Sequence, residues 1–290
     1  MNNLKLRLPE VVVPGKRLGR SVNHDLRSAR YLVPESAPAT TTWKRVTPIL
    51  DQGNLGSCVG NAFTGVLGSD VYFDTVPKAT TLDEPFAVKL YSLATQLDSY
   101  AGTYPPTDTG SDGLSGAKAV QKDQLASGYV HATSLAACYT LIKNGPFAVG
   151  FSWHAGMDTP TSEGVVHATG AVRGGHEFEI LNYNASTGLW EAVNSWGDSW
   201  AKGGHFFIPD EDFTTLLAEQ GDATQLTPVN QPAPTPTPVP TPPAPTPTPT
   251  DGVTLTFTAD QAEAIDMWAD NRWGRGAKGA RDAWLAVRNG

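Results

Sequence analysis

A cysteine with the surroundings of a nucleophile lies within residues 52–62, which read QGNLGSCVGNA. Cys58 begins a helix-like run, and a cysteine at a helix N-terminus is favoured as the thiolate by uncapped backbone N–H groups and the helix dipole. The backbone N–H of Cys58 and the side-chain amide of Gln52 are two donors suited to the oxyanion of a tetrahedral intermediate. The segment predicts a thiol nucleophile with its own oxyanion hole.

A cysteine nucleophile needs a base that takes its proton and a third group that holds the base. His176 stands at the start of a strand-like run, GHEFEIL, and is the predicted base. Asn194 follows a turn at residues 184–188, and its amide oxygen suits the second ring N–H of the imidazole. The three residue types therefore predict a nucleophile, an acid/base and an orienting amide.

Residues from about 43 to 208 resemble the papain-like cysteine peptidases. The resemblance rests on Asp-Gln-Gly at 51–53, Gly-Ser-Cys at 56–58, Gly-His at 175–176 and Asn-Ser-Trp-Gly at 194–197, in the order of that family. It implies that Gln52 is the oxyanion donor, Cys58 the nucleophile, His176 the acid/base and Asn194 the orienting residue. It also implies that Trp196 shields the contact between histidine and asparagine from water, and that no metal or organic cofactor takes part.

The chain departs from the family pattern at several positions. Val59 follows the nucleophile where the family has tryptophan, and Leu55 replaces a disulfide cysteine. Glu177 stands where the family has a small apolar residue that lines the pocket for the second residue on the acyl side of the cut. Its carboxylate either selects a basic substrate residue or points elsewhere.

The remaining cysteine and histidines predict structural roles. Cys138 shares a helix face with Leu135, Leu141 and Ile142, which favours a core position. The other histidines lack catalytic surroundings, and we expect them on the surface or in loops: His24, His131, His154, His167 and His205.

The order of elements predicts an α+β, papain-like, two-lobed fold with a helical lobe and an antiparallel sheet or barrel lobe. Helices are expected after Cys58, over 85–97 and over 113–125, where apolar residues repeat at helical spacing. Strands are expected where β-branched and aromatic residues lie between turns: 147–153, 164–172, 177–183, 190–194 and 205–208.

Composition divides the 290 residues into four parts. We expect an N-terminal extension over 1–41, a peptidase domain over 42–226, a Pro/Thr-rich linker over 227–251 and a small module over 252–290. The extension is much shorter than an inhibitory pro-segment, which argues against latency by a propeptide. Alternating proline and threonine favours a semi-rigid polyproline II spacer.

The C-terminal module is predicted to be mostly helical and to serve binding or docking. Its basic residues suit either an anionic polymer or a solvated helix face: Arg272, Arg275, Lys278, Arg281 and Arg288. A net charge of −8 argues against nucleic acid or anionic membranes as partners. With no signal peptide or membrane-spanning run, we expect a soluble protein, virus-encoded or exported by a non-signal route.

The sequence thus predicts a cysteine-type endopeptidase that cleaves peptide or protein substrates through an acyl-enzyme on Cys58. Two alternatives remain at this point. One is a hydrolase of cell-wall peptides on a related thiol fold, which the linker and basic tail suggest. The other is a catalytically inactive binding or structural scaffold.

Overall fold

A computed structural model describes residues 4–237 and shows helices first and a large sheet afterwards. The helices are α1 (Cys58–Leu67), α2 (Glu84–Leu97), α3 (Gly113–Lys122), α4 (Leu135–Asn144) and α5 (Asp210–Ala218). The strands are β1 (Leu4–Leu6), β2 (Val22–His24), β3 (Gly128–Ala132), β4 (Phe147–His154), β5 (Val172–Asn184), β6 (Leu189–Val193), β7 (His205–Pro209) and β8 (Asp222–Thr227).

The helices of the first half begin where the sequence supplies caps. Asp83 accepts a hydrogen bond from the Phe86 N–H at the start of α2, with Pro85 in the first turn. Asp112 does the same for Ser115 at the start of α3. These ends agree with the predicted helices over 85–97 and 113–125 to within a few residues.

Six strands form one antiparallel sheet in the order β3-β8-β4-β5-β6-β7. β4, β5, β6 and β7 correspond to four of the five predicted strands. The predicted strand over 164–172 is wrong, because only Val165 makes a bridge, to Phe207, and β5 begins at Val172. Gly164 and Gly170 have φ angles of +85° and +79°, which interrupt an extended chain there.

Two hydrophobic cores lie against the sheet. One is formed by the sheet with α4 and α5, and it includes Trp153, Phe178 and Trp190. The other is formed by α1, α2 and α3 and reaches the sheet at Ala148 and Leu226. This helical half packed on an antiparallel sheet confirms the predicted α+β class.

The N-terminal extension packs on the rest of the described chain. β1 pairs with β2 in a small two-stranded sheet, and the Thr41 N–H donates to the carbonyl of Tyr183 in β5. Most of the predicted linker and the whole module over 252–290 lie outside the described residues, so their boundaries stay predictions. Within residues 4–237, no helix has the length and apolarity needed to cross a bilayer.

Candidate active site

Cys58 is the first residue of α1, a helix that is buried along its entire length. Ser57 occupies the N-cap position but makes no side-chain cap, since its hydroxyl accepts a hydrogen bond from Asn61 Nδ2 at 3.0 Å. The first turn of α1 thus keeps N–H groups that no cap satisfies. Gly60 lets α1 approach α2 closely, because a Cβ there would lie 2.1 Å from the carbonyl oxygen of Ala87.

His176 lies on β5 opposite Phe151 of β4. Its Nε2 is 2.8 Å from Asn194 Oδ1, and because an amide oxygen only accepts, Nε2 carries the proton. Nδ1 is buried and has no hydrogen-bond partner among residues 4–237. The ring therefore presents an unprotonated nitrogen at Nδ1 while Asn194 fixes its orientation.

The thiol and the imidazole are both neutral in the described form. Burial raises the pKa of the Cys58 thiol, while hydrogen bonds from the N–H groups of Glu177 and Val59 act in the opposite direction. Burial also lowers the pKa of His176 to about 3. The hydrogen bond to Asn194 raises this pKa, and the charge of nearby Arg173 lowers it further. The expectation of a thiolate at Cys58 does not hold here, because loss of hydration outweighs the favourable N–H groups.

Gln52 is held beside the segment that carries Asn194. Its backbone N–H donates to the carbonyl of Ser195, and its Oε1 accepts from the Ser195 hydroxyl at 2.7 Å. Its Nε2 donates to the carbonyl of Leu55 at 2.8 Å. An amide nitrogen carries two hydrogens, so one remains beyond the bond to Leu55.

Tryptophans enclose the histidine. The Trp196 ring stacks on His176 with centroids 5.0 Å apart and planes at 27°. The Trp153 ring meets the imidazole edge-on at 5.1 Å. These rings exclude water from the histidine–asparagine contact, which strengthens that hydrogen bond.

Comparison with known proteins agrees with this arrangement. Residues 94–220 match the family model described as papain family cysteine protease. This matched region, less than half of the chain, is similar to that family. The matched region includes His176 and Asn194, whereas Gln52 and Cys58 lie before it.

A curated relative matches over a shorter stretch. The cathepsin B-like cysteine proteinase 5 of Caenorhabditis elegans is 34% identical over 70 residues, 23% of this chain. The chain spans 20% of the length of that relative.

Three solved structures are similar in fold. The cysteine protease xylellain from Xylella fastidiosa is 15% identical with a TM-score of 0.49, over 78% of this chain and 98% of that one. Procathepsin B S9 from Trypanosoma congolense is 14% identical with a TM-score of 0.48, over 77% and 86%. Procathepsin L2 from Tenebrio molitor is 18% identical with a TM-score of 0.46, over 66% and 69%.

Residues 17–21, here called the covering segment, lie across this candidate site. On the sheet side, the N–H groups of Gly19 and Arg20 donate to the carbonyl of Gly175 at 3.0 and 2.9 Å. On the same side, the indole N–H of Trp196 donates to the carbonyl of Arg17 at 3.0 Å. The covering segment thus contacts both the residue before His176 and the tryptophan that stacks on it.

The covering segment also contacts the helical side. The backbone N–H of Ser21 donates to the carbonyl of Ser111, and the backbone N–H of Ser111 donates to the carbonyl of Gly19. A Cβ on Gly19 would lie 2.2 Å from the carbonyl oxygen of Gly56, two residues before Cys58. With both sides occupied, Cys58 and His176 have no exposed surface. The expectation that the short extension has no part in latency is not supported by this arrangement.

Glu177 follows His176 on β5 and is fully buried, not exposed in an open cleft. Its neighbours are Arg20 of the covering segment, Asp112 and Asp222. Burial, Asp222 and Asp112 raise the pKa of the Glu177 carboxyl, and Arg20 opposes them. Neither carboxylate oxygen has a hydrogen-bond partner among the described residues.

Sequence reasoning missed several residues around the site. Trp153 lies within a predicted strand, but no motif marks its position over the histidine. Ser195, which holds Gln52, belongs to the Asn-Ser-Trp-Gly motif and was identifiable from it. Arg20 and Asp222 come from segments to which the sequence assigned no role.

The other predicted structural residues have two outcomes. Cys138, on α4, is buried in the core, as predicted. The prediction that His131 and His154 lie on the surface or in loops is wrong, because both side chains are buried. The His131 ring hydrogen-bonds with Thr224 on β8, and the His154 ring with Glu219. Among residues 4–237, no group of three metal-binding side chains lies close enough to hold a metal ion.

Proposed function

We propose that the chain is a cysteine-type endopeptidase that hydrolyses peptide bonds through an acyl-enzyme on Cys58. One observation carries the proposal: Asn194 binds His176 at Nε2 and leaves Nδ1 without a partner among the described residues, while the backbone N–H of the next residue, Glu177, acts to lower the pKa of the Cys58 thiol. The nucleophile and the base therefore belong to one small constellation.

The first half of the proposed reaction is acylation. Nδ1 of His176 takes the thiol proton as the sulfur attacks the substrate carbonyl carbon. The oxyanion that forms is held by the Cys58 N–H and by the remaining amide hydrogen of Gln52. His176 then returns its proton to the leaving nitrogen, the C–N bond breaks and the acyl group stays on sulfur.

The second half releases the acid. A water molecule gives a proton to Nδ1 and attacks the thioester carbonyl carbon. The same donors hold the new oxyanion, the C–S bond breaks and sulfur regains its proton. Each step uses residues of this chain alone.

Substrate binding requires that the covering segment move. Residues 17–21 bind Gly175 and Trp196 and lie against Gly56, so we expect their departure to admit water to Cys58 and His176. Hydration lowers the thiol pKa and raises the imidazole pKa, because it stabilises each charged form. Departure of the segment therefore both opens the site and favours the thiolate–imidazolium pair.

Hydrolysis of two substrate classes tests the proposal. The full chain is incubated with a denatured protein and, separately, with purified cell-wall peptides, and the products are identified by mass spectrometry. We expect cleavage of the denatured protein, abolished in Cys58→Ala and retained in Cys138→Ala. Cleavage of the wall peptides alone contradicts the proposal in favour of a wall hydrolase, and cleavage by Cys58→Ala contradicts the assigned nucleophile.

A further inference from the structure

Asp158 holds two of the groups that surround the proposed base. It is the last residue of the short 3-10 helix Ala155–Asp158, which follows β4. Its Oδ1 accepts a hydrogen bond from the indole N–H of Trp153 at 2.9 Å. Its Oδ2 lies 3.1 Å from Nε of Arg173, as an ion pair. One carboxylate thus joins an aromatic ring of β4 to a cation of β5.

Each of these two groups leads to the imidazole of His176. The Trp153 ring meets the imidazole edge-on, with centroids 5.1 Å apart. The Arg173 guanidinium lies over the Trp196 ring, with Cζ 5.9 Å from the centroid, which is a cation–π contact. Trp196 stacks on His176 at 5.0 Å and meets Trp153 at 5.0 Å. Asp158 and Arg173 therefore complete a closed set of contacts around the imidazole.

Arg173 is also a buried cation close to a ring that gains a proton in the proposed reaction. Burial lowers the pKa of the Arg173 guanidinium, and the charge of Asp158 raises it. Burial is the main reason that the pKa of His176 is low, and the charge of Arg173 lowers it further. A positive charge near the imidazole disfavours the imidazolium, and a carboxylate paired with that charge offsets the effect.

The contacts among Asp158, Arg173 and the two tryptophans all lie within residues 153–196. They use no residue of the covering segment, so we expect them to remain when it leaves. The N-terminal extension adds two hydrogen bonds, from Arg173 Nη1 and Nη2 to the carbonyls of Val11 and Lys16. The other charged or titratable groups near Arg173, Asp158 and the reacting pair are Glu10, Lys16, Arg17 and Glu177.

We propose that Asp158 and Arg173 are positioning residues for the proposed base. They hold Trp153 and Trp196 against the His176 ring, and their opposite charges control how readily the ring shares a proton with Cys58. Both act through the tryptophans and by charge, without contact with the reacting atoms. This inference rests on the proposed peptidase function and adds two residues to its machinery.

Alkylation of Cys58 by iodoacetamide at a series of pH values tests this role in the full chain. Every variant carries Gly19→Ala, which should displace the covering segment, because a Cβ there would lie 2.2 Å from the carbonyl oxygen of Gly56. The rate follows the thiolate fraction, and Cys58 and His176 titrate as a coupled pair. A fixed charge beside the pair moves the midpoint of the curve of rate against pH. A purely structural defect changes the rate and leaves the midpoint in place.

We expect Arg173→Met to raise the midpoint by about 0.5 pH unit, because loss of a positive charge strengthens proton binding. Asp158→Asn keeps an oxygen for Trp153 and removes the negative charge, so the midpoint should fall by a similar amount. Arg173→Lys keeps the charge and should leave the midpoint unchanged. Arg27→Met is the matched control: Arg27 is 83% exposed and pairs with Asp25, so its loss should also have no effect.

Equal midpoints in Arg173→Met, Asp158→Asn and the Gly19→Ala parent contradict the positioning role and leave the proposed function intact. Shifts of the same sign contradict it as well, because opposite charges require opposite shifts. If Arg173→Met does not fold, the nearly isosteric Asp158→Asn decides, and an unchanged midpoint there overturns the role. Failure of Cys58 to react in every folded variant contradicts the proposed function itself, and the positioning role falls with it.

Discussion

At the scale of single residues, the two ring nitrogens of His176 differ in their surroundings. Nε2 is fixed by Asn194 at 2.8 Å, whereas Nδ1 is buried without a partner in the described chain. Asn194 also accepts the N–H of Ser195, which fixes the amide in turn. A ring held at one nitrogen keeps the other in place for proton transfer.

Replacement of the orienting amide tests this role. In Asn194→Ala the imidazole loses its hydrogen bond and its fixed tautomer, so we expect kcat to fall on the order of 10²-fold with KM changed little. Asn194→Gln keeps an amide but lengthens the side chain, and should recover part of the activity. Steady-state kinetics on a peptide substrate measures both, and an unchanged kcat in Asn194→Ala would contradict the assignment.

Residue types and short motifs made most of the site predictable. Cys58, His176 and Asn194 were selected as candidates because a thiol, an imidazole and an amide each have few substitutes in this chemistry, and the structure brings His176 and Asn194 together. The burial of Glu177 beside Arg20 was not predictable. A glutamate after His176 is the same sequence signal whether its carboxylate lines an open pocket or is covered by another side chain. Only the pairing of β4 with β5 and β8 brings Gly150 and Asp222 to it.

At the scale of elements, the covering segment lies against the candidate site through Gly175 and Trp196. Gly19 has a φ angle of +151° and lies against Gly56, where a Cβ would approach the carbonyl oxygen to 2.2 Å. Neither the backbone conformation nor the space admits a side chain. The segment fits into the cleft because this position is glycine.

Gly19→Ala should therefore lift the segment from the site. We expect Cys58 to react with iodoacetamide about tenfold faster or more than in the unmodified chain, because exposure and hydration both favour the thiolate. Gly15→Ala is the matched control: its φ is +70°, but a Cβ there meets nothing within 4 Å. Equal rates in Gly19→Ala and Gly15→Ala would contradict the covering role.

The elements themselves were predictable to different degrees. Helices α2 and α3 have apolar periodicity and aspartate caps, so local signals suffice for both. β8 and β3 were missed, since their residues do not alternate clearly and their pairing spans about a hundred positions. The position of residues 17–21 was missed for the same reason, because it depends on contacts with Ser111 and Gly175 far along the chain.

At the scale of the whole molecule, buried acidic groups make stability depend on pH. Burial raises the pKa of Asp112 from 3.8 to about 6. The hydrogen bonds that Asp112 accepts from Ser115 and Asn23 lower this pKa but do not offset the effect of burial. Well below pH 4 the carboxyl is protonated in both states. Between about pH 4 and pH 6 the unfolded chain loses the proton that the folded chain keeps, so folding stability falls as pH rises.

Asp112→Asn should remove this loss. Asparagine keeps an oxygen for the α3 cap and does not titrate. We expect the free energy of unfolding of Asp112→Asn, relative to the unmodified chain, to increase by about 2 kcal/mol between pH 4 and pH 6.5. Urea unfolding at a series of pH values measures it, and parallel pH profiles for the two proteins would contradict the raised pKa.

The account as a whole requires that Cys58 be an activated nucleophile once residues 17–21 leave it. Intact-mass analysis after exposure to an epoxysuccinyl thiol-protease inhibitor tests this most directly, in the unmodified chain and in Gly19→Ala. Peptide mapping separates Cys58 from Cys138, and Cys58→Ala is the control. We expect one stoichiometric adduct, on Cys58, that forms faster in Gly19→Ala. A folded Gly19→Ala chain that takes up no inhibitor would contradict the account and favour a binding scaffold.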